Sequence, residues 1–134
     1  MTQILIADDH EVVRQGVRVL LEANPDWTVC GEAATGREAV AKATEFHPDV
    51  VVLDIAMPEV NGLAACRAIK AARPTVGIVL ASAFDDAAFQ QEAEAAGAAA
   101  FVVKSSAAED LEAAVWQAFR GGTPFRVYSR RSPG

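Results

Sequence analysis

Short apolar runs alternate with amphipathic stretches from the first residues onward. Ile4-Leu5-Ile6-Ala7 ends in Asp8-Asp9, and Val12, Val13, Gly16, Val17, Leu20 and Leu21 then recur at helical spacing until Asn24-Pro25. Trp27 to Gly31 reads as a second strand, and Thr35-Gly36-Arg37-Glu38 is a capping-box pattern that opens a helix running to Phe46. Val50-Val51-Val52-Leu53 is the most continuous β-branched run. It is bounded by Pro48-Asp49 and by Pro58, and it leads into Asp54. Such a run, short and apolar at successive positions, predicts a strand buried on both faces. Asn61-Gly62 predicts a turn before a helix from Leu63 to Ala72, which Arg73-Pro74 ends.

The alternation continues to the end. Val76 to Ala81 predicts a fourth strand that meets Ser82. Asp85 to Ala96 predicts a helix capped by Gly97, and Ala100 to Val103 a fifth strand that meets Lys104. Ser106-Ala107-Ala108-Glu109 has the spacing of another capping box, for a helix whose core face reads Leu111, Val115, Ala118 and Phe119. Five strand–helix repeats with short connections predict an α/β domain with a doubly wound, five-stranded parallel sheet in the order 2-1-3-4-5. In that order the carboxyl ends of strands one and three flank the point where the winding reverses. Asp8, Asp9, Asp54, Ser82 and Lys104 all fall at that edge.

Composition narrows the classes. The chain has 134 residues, enough for one domain with a core, and the expected boundary puts the domain at 1–122 with 123–134 as a tail or the start of a linker. A net charge of −6 argues against nucleic-acid binding by the globular part, leaving only Arg126, Arg130 and Arg131 as a locally basic stretch. No apolar run approaches the roughly 20 residues of a membrane span, and the start lacks the basic region of a signal peptide. A cytoplasmic location, with no membrane partner, is therefore expected. Cys30 and Cys66 do not make a metal-binding pattern and are expected to be reduced structural thiols.

Three carboxylates at one edge repel; at 4 Å a pair costs about 4 kcal/mol at an effective dielectric of roughly 20. Such a cluster raises a pKa or recruits a cation, and a small set of oxygen ligands suits Mg²⁺. Lys104 and Ser82 across the crevice would receive a dianionic group placed on Asp54 as a point charge and a hydrogen-bond donor. A carboxylate nucleophile, a metal and a positioned cation form the constellation for phosphoryl transfer onto an aspartate.

On the acidic pair Asp8-Asp9, the string Asp54-Ile55-Ala56-Met57-Pro58 with Asn61-Gly62 behind it, Ser82 ahead of Asp85-Asp86, and Lys104 after Phe101, the chain resembles the receiver domain of bacterial two-component response regulators over roughly residues 3–120. Ala7-Asp8-Asp9-His10-Glu11 and Gly31-Glu32-Ala33-Ala34-Thr35-Gly36 are most similar to the NarL/LuxR-type subfamily. The resemblance implies a flavodoxin-like (βα)5 fold and a switch that catalyses its own phosphorylation and dephosphorylation rather than a turnover enzyme. It implies Asp54 as acceptor of a phosphoryl group from a sensor histidine kinase. It also implies Mg²⁺ held by Asp9, Asp54 and the backbone carbonyl of Ala56, with Asp8 acting mainly through water. Lys104 and Ser82 would contact the phosphate, and Phe101 stands where the family has its switch aromatic, usually tyrosine. Homodimerisation on phosphorylation, across the fourth helix and fifth strand around Phe84, Phe89 and Ala99 or across the first and last helices, is a further expectation.

Singly, each residue has a plainer reading: Asp8 or Asp9 as a helix cap, Ser82 as a turn residue, Lys104 as a solvated strand end, His10 and His47 as surface polar groups, Phe101, Trp27 and Trp116 as core. The competing activity, a phosphatase of the haloacid-dehalogenase type, needs an acid two residues after the nucleophile, and Ala56 occupies that position. The subfamily's output is transcriptional, through a helix-turn-helix domain. Nothing after Gly122 is long enough to form one, so DNA contact is expected only through a domain absent from this chain. A stand-alone receiver acting by protein–protein contact is the alternative.

Overall fold

Strand β3, Val50–Asp54, is buried at every residue, and the sheet is built outward from it. In the structure, a computed structural model that describes residues 1–121 and 124–129, β3 lies between β1, Thr2–Ala7, and β4, Gly77–Ser82. Beyond these lie β2, Trp27–Ala33, and β5, Ala100–Val103. All pairings are parallel, with Ile6 opposite Val52 and Asp54 opposite Ala81. The helices are α1, Glu11–Glu22; α2, Gly36–Phe46; α3, Gly62–Ala72; α4, Ala87–Ala95; and α5, Ala107–Phe119. Two cores result, because alternate residues of each strand face opposite sides. Ile4, Ile6, Val50, Val52, Val79 and Val102 meet Leu21 of α1 and Leu111, Ala114 and Val115 of α5. Leu5, Val51, Leu53, Ile78, Leu80 and Phe101 meet α2, α3 and α4 through Ala39, Ala43, Leu63, Cys66, Ile69 and Ala93. Trp27 packs on Trp116 with ring centroids 5.5 Å apart, as packing residues.

Among the described residues the sheet has six strands, in the order 2-1-3-4-5-6, and not the expected five. Arg126–Tyr128 forms β6, parallel to β5, with Phe101 opposite Val127. The reason is the open edge: without a neighbour, the outer polar groups of β5 would have no ladder partners, and this short extended stretch supplies them. Three residues are too few for a periodicity signal, so the sequence read as tail. The expected boundary at Gly122 and the arginines at 130 and 131 lie outside the described residues.

Three local expectations also change. Ser106 precedes α5 but does not cap it by a side-chain bond; a 3-10 turn over Lys104–Ser106 intervenes, and the hydroxyl donates to Val103 O at 2.9 Å. Phe119 is 46% exposed, and Ala114 takes its place on the buried face of α5. Helix α4 starts two residues later than expected, because Asp86 accepts from the backbone N–H groups of Ala88 and Phe89 and so acts as its cap. At α2 the Thr35 half of the capping box forms, its side chain accepting from Glu38 N at 3.0 Å, while the Glu38 carboxylate reaches one residue further back and accepts from Ala34 N at 2.6 Å rather than from Thr35 N. Among the described residues no helix is long and apolar enough to cross a membrane.

Candidate functional site

Each strand end delivers its side chain for a local reason. Asp8 follows β1 and is pinned by backbone: its N–H donates to Ala33 O at 3.0 Å, and its carbonyl accepts from Arg14 Nη1 at 2.6 Å. Its carboxylate accepts from His10 N at 2.9 Å, which folds the Asp8–His10 turn back on itself. Asp9 therefore points outward, with His10 Nδ1 3.0 Å from its Oδ1. Asp8, Asp9 and His10 offer ligand atoms that all lie within 4.8 Å of one another.

Asp54 sits at the end of β3, 4% exposed. Beside it, α3 begins so close to the chain that a Cβ on Gly62 would lie 2.1 Å from Asp54 O. Only glycine permits that approach, while the Asn61 side chain caps the helix by accepting from Ala64 N at 2.9 Å. The Asn61-Gly62 pair thus starts the helix, and the glycine is required for packing rather than for a turn.

The charges converge through Lys104. Its Nζ stands 2.7 Å from Asp8 Oδ2 and 3.3 Å from Asp54 Oδ1, so one ammonium bridges two buried carboxylates from different strands. Burial pushes the Asp54 carboxyl up from its ordinary range; repulsion from Asp8 adds to this, and Lys104 offsets it only in part. For Lys104, burial pulls downward, but the hydrogen bond to Asp8 and the two negative charges outweigh it and hold the ammonium above its usual value. A cavity of about 210 Å³ lined by Ile6, Val13, Val17, Val52, Val102 and Leu111 adjoins the three charged groups and keeps one side of them apolar.

Ser82 is buried at the end of β4, one residue beyond the position paired with Asp54, and its Oγ accepts from Phe84 N at 3.0 Å. Phe101 is fully buried in the core on the α2–α3–α4 side, on β5, three residues before Lys104, which begins the turn after that strand. Ala56 is exposed, and its N–H lies 3.4 Å from Asp54 Oδ1. Phe84 is 69% exposed, whereas Ala99, expected on the same surface, is buried. Two residues were missed. Arg14 donates both to Asp8 O and, through Nε at 3.0 Å, to Glu32, which also receives Arg18 at 2.6 Å. The only sequence signal was a basic residue one helical turn inside α1, which ordinarily reads as a solvated face.

A doubly wound parallel sheet with a lysine-bridged pair of buried strand-end aspartates defines an α/β switch domain of the receiver type. The chain belongs to the response regulator receiver domain family, whose model matches residues 4–116. It is 36% identical over 125 residues to the transcriptional regulatory protein YxjL of Bacillus subtilis, covering 93% of this chain and 57% of that protein. It therefore spans little more than half the length of the curated relatives it matches. Among solved structures, a LuxR-family response regulator from Aurantimonas sp. SI85-9A1 superposes with a TM-score of 0.88 at 34% identity, covering 97% of this chain and 91% of that one. The receiver domain of the putative response regulator NarL from Mycobacterium tuberculosis superposes with a TM-score of 0.85 at 31% identity, covering 90% and 97%.

Proposed function

We propose that Asp54 accepts a phosphoryl group from a histidine kinase and that the loaded domain changes conformation to regulate transcription through a part of the protein beyond this chain. The observation that carries the reading is the position of Lys104 Nζ, within reach of both Asp8 and Asp54 at the end of a buried strand. In the transfer, an Asp54 carboxylate oxygen forms a bond to phosphorus while the bond from phosphorus to the donor breaks, its electron pair leaving with the donor. Raised by burial and by Asp8, Asp54 is a more basic and less solvated oxygen nucleophile than a surface carboxylate. Lys104 turns its charge from the paired carboxylates to the arriving phosphoryl oxygens, and Ser82 exchanges its bond to Phe84 N for one donated to the same group.

Asp8, Asp9, Asp54 and the backbone carbonyl of Ala56 would hold Mg²⁺. The donor set fits: it is all oxygen and bears more negative charge than one lysine neutralises. When bound, the metal neutralises oxygens of the transferring group. Self-catalysed loss of the phosphate belongs to the same proposal and is slow. The exposed Ala56 and Phe84 flank the acceptor without any group able to orient a water by hydrogen bonding. The absence of an acid at position 56 also weighs against phosphatase turnover.

Incubation with Mg²⁺ and acetyl phosphate, followed by intact mass, tests the reading. The expected result is a gain of one phosphate that Asp54→Asn abolishes, with an aspartyl-phosphate half-life of minutes or longer. Unmodified wild-type protein across several small phosphodonors would overturn the acceptor assignment; a half-life of seconds would overturn only the slow-loss part.

A further inference from the structure

Residues 124–129 run back over the edge of β5 and are fastened at several points. Phe125 packs on the core shared with Phe101, Tyr128 packs on the core shared with α5, and Arg126 N donates to Ala99 O at 3.3 Å. Gln117 of α5 holds the segment from both sides. Its Nε2 donates to Pro124 O at 2.6 Å, and its Oε1 accepts from Tyr128 OH at 2.6 Å. The far end is tied to two other places. The buried Ser106 hydroxyl lies 3.3 Å from Tyr128 O, and Ser129 Oγ donates to Asp85 Oδ2 at 3.0 Å. Ser106 closes the turn that begins with Lys104, and Asp85 sits three residues after Ser82 in the loop leading to α4. The segment is therefore anchored to the two loops that carry the phosphate-facing groups of the site.

We infer that residues 124–129 are a latch coupled to the Asp54 site: closed over the β5 edge while Asp54 is unmodified, and loosened when the site is loaded. The coupling, though not the latch itself, rests on the acceptor reading above. Its physical basis is competition for the same loops. A dianionic group with three terminal oxygens on Asp54 draws Lys104 away from Asp8 and draws Ser82 away from Phe84 N. Each displacement moves a loop to which the latch is tied through a hydroxyl–oxygen contact, and contacts of that kind are individually worth only about 1 kcal/mol. A three-residue edge strand held by a few such bonds belongs to the least stable part of a domain, where a small bias changes the open population most. Opening would expose the ladder edge of β5. The coupling is reciprocal: a weakened latch strengthens binding at Asp54.

Amide exchange followed by NMR on the full chain, alone and with Mg²⁺ plus beryllium fluoride as the acyl-phosphate mimic, tests this. Fluorine NMR reports independently whether the mimic is bound. Saturation is expected to speed exchange of the Arg126–Tyr128 amides at least tenfold. Without ligand, Ser129→Ala is expected to speed exchange at 84–86 severalfold, and Ser129→Ala with Tyr128→Phe to tighten the mimic's apparent affinity severalfold. A bound fluorine signal with unchanged exchange at Arg126–Tyr128 would overturn the coupling while leaving the acceptor reading intact. No bound signal would overturn the acceptor reading and the coupling together. Unchanged exchange at 84–86 in Ser129→Ala would overturn the latch's attachment to the site loop, whatever the mimic does.

Discussion

Asp54 is kept ionisable where ionisation is costly. Because burial and Asp8 raise its folded pKa, the charged form is disfavoured by folding; stability therefore falls as pH climbs from the ordinary carboxylate range through the raised value. An asparagine does not titrate, so without Mg²⁺ the Asp54→Asn protein should be the more stable at neutral pH, by about 1 kcal/mol in urea melts. The gain should disappear at pH values below the unfolded carboxylate pKa of about 4. A variant less stable than wild type at neutral pH would show that the Lys104 attraction outweighs burial. Cys66 gives a second residue-scale prediction. It is fully buried against Ala96 O, and burial pushes its thiol up to about 12. A thiol-specific disulfide reagent at pH 8 should leave it unmodified in the folded protein and label it at the rate of global unfolding. Labelling with the same rate at pH 8 in native and denatured protein would contradict its burial.

Elements owe their placement to a few residues at their ends. Gly62→Ala puts a methyl group against the Asp54 carbonyl, so either α3 withdraws or β3 shifts. Overpacking of this kind costs roughly 1–3 kcal/mol, and here it should also slow phosphorylation, since the displaced backbone carries the acceptor. Equal loss of stability with an unchanged phosphorylation rate would place the strain elsewhere. At α2, Thr35→Ala removes the cap to Glu38 N and should cost about 1 kcal/mol in denaturant melts without touching the site chemistry. The two capping-box patterns show how far local sequence reaches. Thr35 caps because its extended backbone turns the hydroxyl onto Glu38 N. Ser106 does not, because its backbone is not extended and its hydroxyl is turned onto Val103 O and Tyr128 O, one of which arrives from a strand that the local sequence does not announce.

At the scale of the whole molecule, the acidic turn is braced by a network that joins α1 to β2. Glu32 accepts from Arg18 and Arg14, whose hydrogen bonds and charges hold its carboxyl below the usual range against a smaller effect of burial. A lowered folded pKa means that this stabilisation is present above the unfolded value of about 4.3 and is lost as pH falls through the folded one. Glu32→Gln should therefore cost up to about 1 kcal/mol at pH 7, given partial exposure of the pair, with the difference from wild type closing in acid melts. A difference independent of pH would assign the effect to packing instead.

From the sequence alone came the alternation of strands and helices, the burial of Val50–Leu53, and the placing of Asp8, Asp54, Ser82 and Lys104 at one sheet edge. Periodicity, prolines and polar strand ends are local signals, and a parallel sheet turns each strand's end into the same edge. Only the tertiary structure decided that Lys104 bridges two aspartates 46 residues apart in the chain, that Gly62 is required by the Asp54 carbonyl, that Arg14 and Glu32 brace the acidic turn, and that a sixth strand closes β5. Those are contacts between groups on different elements or on the loops between them. Their energies depend on which groups meet after the sheet has formed, and no local pattern of residues specifies that.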